Sequence, residues 1–344
     1  MGFFPQKKNN LYFVFFTYVC IMNISQQMKK AEEKNRAGRN RTLSIKADEI
    51  AHLETFISNR KMLQHDFPND LIINEDLFNC IGFIPNEHFD LIIIDPPYNL
   101  DKDFHGKKFS SMNANDYEEY LRSWFKSVCD KLKPEGTLYL CGDWKCSSSM
   151  QRVLEEELTI LNRITWQREK GRGAKANWKN SMEDIWFAVK NPKKYYFNVE
   201  AVKMKRKVIA PYRENGQPKD WEDTTDGRFR ITYPSNFWDD ISIPFWSMPE
   251  NTDHPTQKPE KLYAKLILAS TREGDKIFDP FAGSGTTAVV ARKLKRHFCT
   301  VEINKEYCLW TAKRLLIADK EPYIQGYVDG VFWERNSLQK QGKK

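Results

Sequence analysis

The sequence predicts an α/β fold, a doubly wound and mostly parallel sheet with a smaller region inserted in it, and three observations carry that expectation. Short apolar runs of strand length alternate with segments whose apolar residues recur at helical spacing. Residues 89–95, Phe-Asp-Leu-Ile-Ile-Ile-Asp, are apolar without alternation, as befits a strand covered by helices on both faces. A glycine-rich turn, Gly283 to Gly285, follows one strand-like run and opens a helix-like one.

Residues 1–45 read as a basic, flexible arm. Within it, Lys7-Lys8 and the apolar residues 11–22 imitate a signal peptide, but no small-residue cleavage site follows and the run is too short to cross a bilayer. Residues 1–27 are therefore expected to be dispensable, with Met22 or Met28 as the working start. Residues 47–63 carry Ile50, Leu53, Phe56 and Ile57 at helical spacing and predict a leading helix. Residues 71–76 predict a short strand ending in acids, and 116–132 a helix with Tyr117, Leu121, Trp124, Phe125 and Val128 turned inward. Strands follow at 136–142 and 182–190, the second stopped by Asn191-Pro192. From there to 251 periodicity fades and Pro211, Pro218, Pro234 and Pro244 interrupt the chain. A helix at 258–270, a strand at 276–279, a helix through Leu294, a strand at 298–302 and a helix at 306–317 complete the expected fold. Beyond Glu321 the chain reads as a polar tail.

The charge is unevenly spread. Residues 161–230 hold 17 Lys and Arg against nine Asp and Glu, which accounts for the whole net charge of +8. Trp166, Trp178, Tyr195, Tyr196, Phe197, Tyr212, Trp221 and Phe229 lie among these cations, a composition suited to phosphate contact with base stacking. A hydrophobic content of 40% and a charged content of 29% exclude a bundle of membrane helices. Seven cysteines without a CxxC pair or a Cys/His cluster argue against a zinc site and suit a reducing cytoplasm.

Two short segments carry chemistry. Gly283-Ser284-Gly285-Thr286-Thr287-Ala288 fits the G-x-G-x-x-[GA] pattern, and Glu302 ends the next expected strand, placed to accept from ribose hydroxyls. Taken alone this turn leaves NAD, FAD, S-adenosylmethionine or no ligand open. Asp279 before it discriminates, because a carboxylate repels a pyrophosphate and attracts an ammonium group. The second segment, Asp95-Pro96-Pro97-Tyr98, closes the apolar run at 89–95. Asp95 offers a carboxylate, Pro96 a carbonyl whose direction Pro97 fixes, and Tyr98 a flat face for stacking.

Together Asp95-Pro96-Pro97-Tyr98 and Asp279-Pro280-Phe281-Ala282-Gly283-Ser284-Gly285, in that order, resemble the β group of S-adenosylmethionine-dependent DNA amino-methyltransferases of restriction-modification systems. The resemblance covers about residues 70–320 and implies a Rossmann-like, circularly permuted, seven-stranded methyltransferase sheet. With the element pattern it suggests a catalytic half at 46–190, a cofactor half at 253–320 and a tail at 321–344; residues 191–252, where periodicity fades and no family pattern transfers, are the candidate target-recognition insert. It assigns catalysis to Asp95, Pro96, Pro97 and Tyr98, and S-adenosylmethionine to Asp279, Phe281, Gly283, Gly285, Thr286 and Glu302. His254-Pro255-Thr256-Gln257-Lys258-Pro259 also matches, and places Thr256 and Lys258 near the cofactor's carboxylate and, less specifically, Asp76 near its adenine. Lys203, Lys205, Arg206 and Lys207 are the expected DNA contacts, and residues 101–115 a mobile loop over the target base. No metal is implied. Double-stranded DNA is the partner, and the resemblance allows a homodimer and an endonuclease acting on the same site.

An exocyclic amino group is a poor nucleophile because its lone pair is delocalised into the ring. Two acceptors that grip its hydrogens steer that lone pair toward the methyl group, and a duplex must first release the base. Asp as the first residue of the tetrapeptide favours adenine N6, with cytosine N4 as the alternative. C5-cytosine methylation needs a Cys nucleophile, typically after Pro, and no Pro-Cys dipeptide occurs. An NAD-dependent oxidoreductase would leave the tetrapeptide and the basic stretch unexplained, and a DNA-binding protein with a dead cofactor fold would not need an intact Asp95.

Overall fold

A computed structural model describes residues 37–59, 67–104, 107–168, 176–208, 212–225 and 227–334. The apolar run at 11–22 and most of the N-terminal arm lie outside the described residues, as does Gly106. The main sheet has nine strands: β1 (Ile57–Ser58), β2 (Leu71–Asn74), β3 (Phe89–Ile94), β4 (Leu132–Gly142), β5 (Thr159–Gln167), β6 (Met182–Val189), β7 (Phe237–Trp238), β8 (Lys276–Asp279) and β9 (His297–Glu302). Their spatial order is β1-β2-β9-β8-β3-β4-β6-β5-β7. All run parallel except β6, which is antiparallel to both neighbours. Seven strands, the number the resemblance implies, form the body, and the two-residue strands β1 and β7 extend its edges.

β3 shows why the sheet is buried on both sides. Successive side chains point to opposite faces. Leu91 and Ile93 join one core with helices α1 (Ile50–Glu54), α5 (Glu260–Ser270), α6 (Thr286–Lys293) and α7 (Lys305–Ala318). Ile92 and Ile94 join the other, with α2 (Leu77–Cys80), α3 (Ala114–Cys129) and α4 (Ser147–Glu157). β8 and β3 lie side by side at the centre, and the chain proceeds from them toward opposite edges. A crevice therefore opens beyond their carboxyl ends, the place where open α/β sheets hold ligands.

Four expectations need correction. The leading helix stops at Glu54, because Ile57, β-branched, pairs with Ile72 at the sheet edge instead, and Phe56 is exposed. Helix α4 and strand β5 were not foreseen. Residues 191–252 are not irregular throughout: Met204–Lys207, Glu222–Thr224 and Gly227–Thr232 form a five-stranded sheet with Tyr327–Val328 and Val331–Trp333. The last two strands come from the supposed polar tail, where Phe332 is fully buried and its N–H donates to the Lys203 carbonyl. The fourth concerns residues 101–115, where Lys102–Phe104 and Lys107–Phe109 pair as a hairpin. Its base is pinned by Asn99, which exchanges two hydrogen bonds with the Met112 backbone, and by Asp101, which accepts the Ser111 N–H.

Candidate active site

A cavity of about 240 Å³ opens at the β8–β3 crevice, and both sequence motifs wall it: Asp95 to Tyr98 on one side, Phe281 to Ser284 on the other. Thr256, Lys258, Thr286 and Glu302 also line it.

The tetrapeptide is held from outside and within. Tyr117 on α3 donates its hydroxyl proton to the Pro97 carbonyl at 3.1 Å. The Tyr98 hydroxyl donates to Asp95 Oδ1 at 2.7 Å, and the Lys258 ammonium to Asp95 Oδ2 at 2.6 Å. Lys258 also reaches the Tyr98 oxygen at 3.1 Å and Glu183 Oε2 at 3.3 Å. Burial, reinforced by the Asp95 charge, pushes the Tyr98 phenol well above its ordinary range, so it stays protonated and remains a donor.

At the other wall the glycine-rich turn is tied to Glu302, whose Oε2 accepts the Gly283 N–H at 2.8 Å while Oε1 accepts the Asn304 N–H at 2.8 Å. Gly283 has φ +53°, and a Cβ there would sit 2.9 Å from the His254 ring. Only glycine lets the backbone face the cavity at this point. Asp279 is buried behind the turn, its Oδ1 accepting the Phe281 N–H at 3.0 Å and its Oδ2 the Thr287 hydroxyl. Burial, with the Asp95 and Glu302 carboxylates adding to it, raises Asp279 to about 7 against the opposing Thr287 and Phe281 hydrogen bonds. Two carboxylates, Asp95 and Glu302, line the cavity, with the buried Asp279 behind the turn and outside its lining, and the remaining walls include the aromatic Phe281, Tyr98, Tyr263 and Tyr307. That donor set suits a cationic ligand bearing an aromatic ring.

Several predicted site residues do other work. Lys258, expected at the cofactor's carboxylate, points to Asp95 and Glu183, because an ammonium only 5% exposed needs carboxylates at contact distance. Gly285 does not reach the cavity. Its φ is +77° and an added Cβ would lie 2.3 Å from the buried Thr311 on α7, so its lack of a side chain serves helix packing. Gly285→Ala is expected to cost about 3 kcal/mol from left-handed backbone strain plus overpacking, measured by denaturant unfolding. Thr286 lines the cavity but gives its hydroxyl proton to the Lys258 carbonyl at 3.0 Å, tying the start of α6 to the segment before α5. Asp76 is not among the cavity residues: it caps α2, accepting the Phe78 N–H at 3.0 Å.

The basic cluster is also divided. Along Met204–Lys207 alternate residues face opposite ways. Lys205 lies over the Phe229 and Trp333 rings, whereas Arg206 pairs with Asp239 on the side of buried Met204. Lys203 pairs with Glu200 at 2.5 Å. The four cations cannot act as one row of phosphate contacts.

Glu183 and Arg168 were missed. Glu183 is 2% exposed on β6 and forms an ion pair with Arg168. The signal was present, since Glu183 and Asp184 interrupt an otherwise apolar run and a buried acid demands a partner.

The model of the N6/N4 methyltransferase family, described as DNA methylase, matches residues 89–314 and so takes in both motifs and the segments between them. The chain belongs to this family of DNA methylases. Among its relatives, the type II methyltransferase M.HpaI of Haemophilus parainfluenzae is 36% identical over 71% of this chain and 73% of its own length. The DNA adenine methyltransferase YhdJ of Escherichia coli (strain K12) is 34% identical over 72% and 83%. The solved structure of M1.HpyAVI in complex with SAM superposes with a TM-score of 0.51 at 25% identity, covering 71% of this chain and 98% of that one. The cytosine-N4-specific PvuII DNA methyltransferase, 19% identical with a TM-score of 0.55 over 72% and 86%, shares the fold.

Proposed function

We propose that this DNA methylase transfers a methyl group from S-adenosylmethionine to the N6 amino group of adenine in double-stranded DNA, as the modification half of a restriction system. The observation that carries the reading is the single cavity shared by Asp95 and Gly283. S-adenosylmethionine supplies an already activated methyl on a sulfonium. Glu302 and the Gly283 backbone are the groups that would hold it, with the buried Asp279 behind the turn supplying negative charge from outside the cavity lining. Asp95 and the Pro96 carbonyl accept the amino hydrogens of the extruded base, which turns the nitrogen lone pair toward the methyl group, while the Tyr98 ring stacks on the base. The relatives named as adenine methyltransferases and the Asp at the first position of the tetrapeptide favour adenine over cytosine. The six described cysteines are buried free thiols, which suits the cytoplasm, and no described helix is long and apolar enough to cross a membrane.

DNA approaches the carboxyl edge of the sheet in this reading. β3, β4 and β5 end there and β6 begins there, with Gly142 opposite Asp184 and Gln167 opposite Met182. Trp144 (55% exposed) and Lys145 follow β4, and Trp178 (94% exposed) and Lys179 precede β6. Replacing Lys145 and Lys179 with alanine is expected to reduce the slope of log K against log salt by about 2, close to one per lost phosphate contact. Filter binding at several salt concentrations checks it.

The test of the function itself is methyl incorporation from labelled S-adenosylmethionine into duplex DNA, followed by modified-base sequencing. N6-methyladenine at a defined site is the expected product. N4-methylcytosine would transfer the reading to the other amino group, and no incorporation would end it.

A further inference from the structure

Both oxygens of the Asp95 carboxylate already accept a short hydrogen bond before any substrate arrives, from Tyr98 at 2.7 Å and from Lys258 at 2.6 Å. A target amino group that joins them shares an acceptor whose charge is already partly neutralised. Glu183 offers those donors a second home. Its Oε2 lies 3.3 Å from the Tyr98 hydroxyl and 3.3 Å from the Lys258 ammonium, while its other oxygen belongs to Arg168. Glu183 draws Arg168 in close, whereas Tyr98 and Lys258 make their short contacts with Asp95 and their longer ones with Glu183.

We infer that Glu183 is a positioning residue that takes over the Tyr98 hydroxyl, and with it the pull of Lys258, when the target amino group occupies Asp95. The Tyr98 hydroxyl has one proton, so it serves one acceptor at a time. A rotation about its C–O bond and a small drift of the ring move that proton from Asp95 to Glu183. Asp95 Oδ1 is then available to the amino group. Arg168 pairs with Glu183 and fixes it in place, so the second acceptor stands ready with little rearrangement. No covalent bond changes in this exchange. It rests on the amino-methylation reading and adds to it a residue outside the tetrapeptide.

A double-mutant cycle tests it by single-turnover methyl transfer at saturating cofactor and DNA. Glu183→Gln is expected to slow the step about 30-fold when Tyr98 is present and less than about threefold in a Tyr98→Phe background, where no hydroxyl needs a second acceptor. Cofactor affinity by equilibrium dialysis, and base extrusion by 2-aminopurine fluorescence at the target position, are expected to stay within about twofold of the parent. Effects that multiply independently in the two backgrounds would overturn the inference, as would an unslowed Glu183→Gln. Glu183→Asp guards against a folding defect, because it retains the charge facing Arg168 while drawing the acceptor back from Tyr98. It is expected to give the same coupled pattern at an unchanged melting temperature, and independent effects there count equally against the proposal. A wild-type chain that methylates no DNA would defeat the functional reading instead, so the two failures are distinguishable.

Discussion

Asp95→Ala is expected to lower methyl transfer by about 10³-fold while leaving S-adenosylmethionine affinity nearly unchanged, because an acceptor aimed at charge that develops on the reacting nitrogen acts mainly in the transition state. In the proposed reading the two functions use different segments of the cavity wall, Asp95 to Tyr98 for the chemistry and Phe281 to Ser284 with Glu302 for the cofactor. Removing the Asp95 side chain leaves Lys258 with Glu183 and Tyr98 still in reach, so the pocket does not acquire an unpaired buried ammonium. Asp95→Asn is a milder change. It keeps one acceptor oxygen, and a loss of about 10- to 100-fold is expected, since the amide contributes no negative charge and its NH₂ meets the Lys258 ammonium. Single-turnover transfer and equilibrium cofactor titration on the same preparations measure both effects. A parallel collapse of cofactor affinity in Asp95→Ala would show that the carboxylate belongs to the cofactor site and not to the chemistry.

What the sequence made legible was the part of the site built by backbone. Asp95-Pro96-Pro97-Tyr98 and the turn at Gly283 advertise themselves because prolines and glycines are tied to particular backbone shapes. Their apolar lead-in strands also locate them at the centre of a buried sheet. What stayed hidden depends on partners distant along the chain. Lys258 is 163 residues from Asp95, and nothing local distinguishes a lysine that meets a cofactor from one that meets a catalytic carboxylate. Gly285 and Asp76 belong to recognisable patterns, yet their surroundings, Thr311 and the first turn of α2, give them packing and capping roles. The insert looked irregular for a related reason. Its strands are two to six residues long, and two of the neighbours in its five-stranded sheet come from residues 327–333, more than a hundred positions along the chain from Met204. Short strands completed by remote ones carry almost no periodic signal.

Asp279→Asn is expected to move stability and cofactor affinity in opposite directions, and pH separates the two. Burial holds the folded-state carboxyl at about 7, against an ordinary value near 3.8 in the unfolded chain. Between those values the folded protein keeps a proton that the unfolded chain has released, so the raised carboxyl erodes stability as pH climbs from about 4 to 7, by up to about 1.4 kcal/mol per unit. An amide has no such liability. The variant's melting temperature is therefore expected to match the parent near pH 4 and to exceed it by several degrees at pH 8. Binding follows the opposite logic. In the proposed reading S-adenosylmethionine brings a sulfonium and an ammonium toward the Glu302 and Asp279 side of the cavity, and these cations favour the ionised carboxylate across a medium of low dielectric. Cofactor binding at pH 7 is expected to expel about half a proton from Asp279, a quantity read by calorimetry in buffers of different ionisation enthalpy. The variant should release none and bind about 10- to 100-fold more weakly at pH 8, with the gap to the parent closing below pH 7 as Asp279 itself takes up a proton. A proton release that survives in Asp279→Asn would assign the titrating group elsewhere among the cavity carboxylates. A variant less stable than the parent at pH 8 would mean that the hydrogen bonds from Thr287 and Phe281 outweigh the cost of burying the charge.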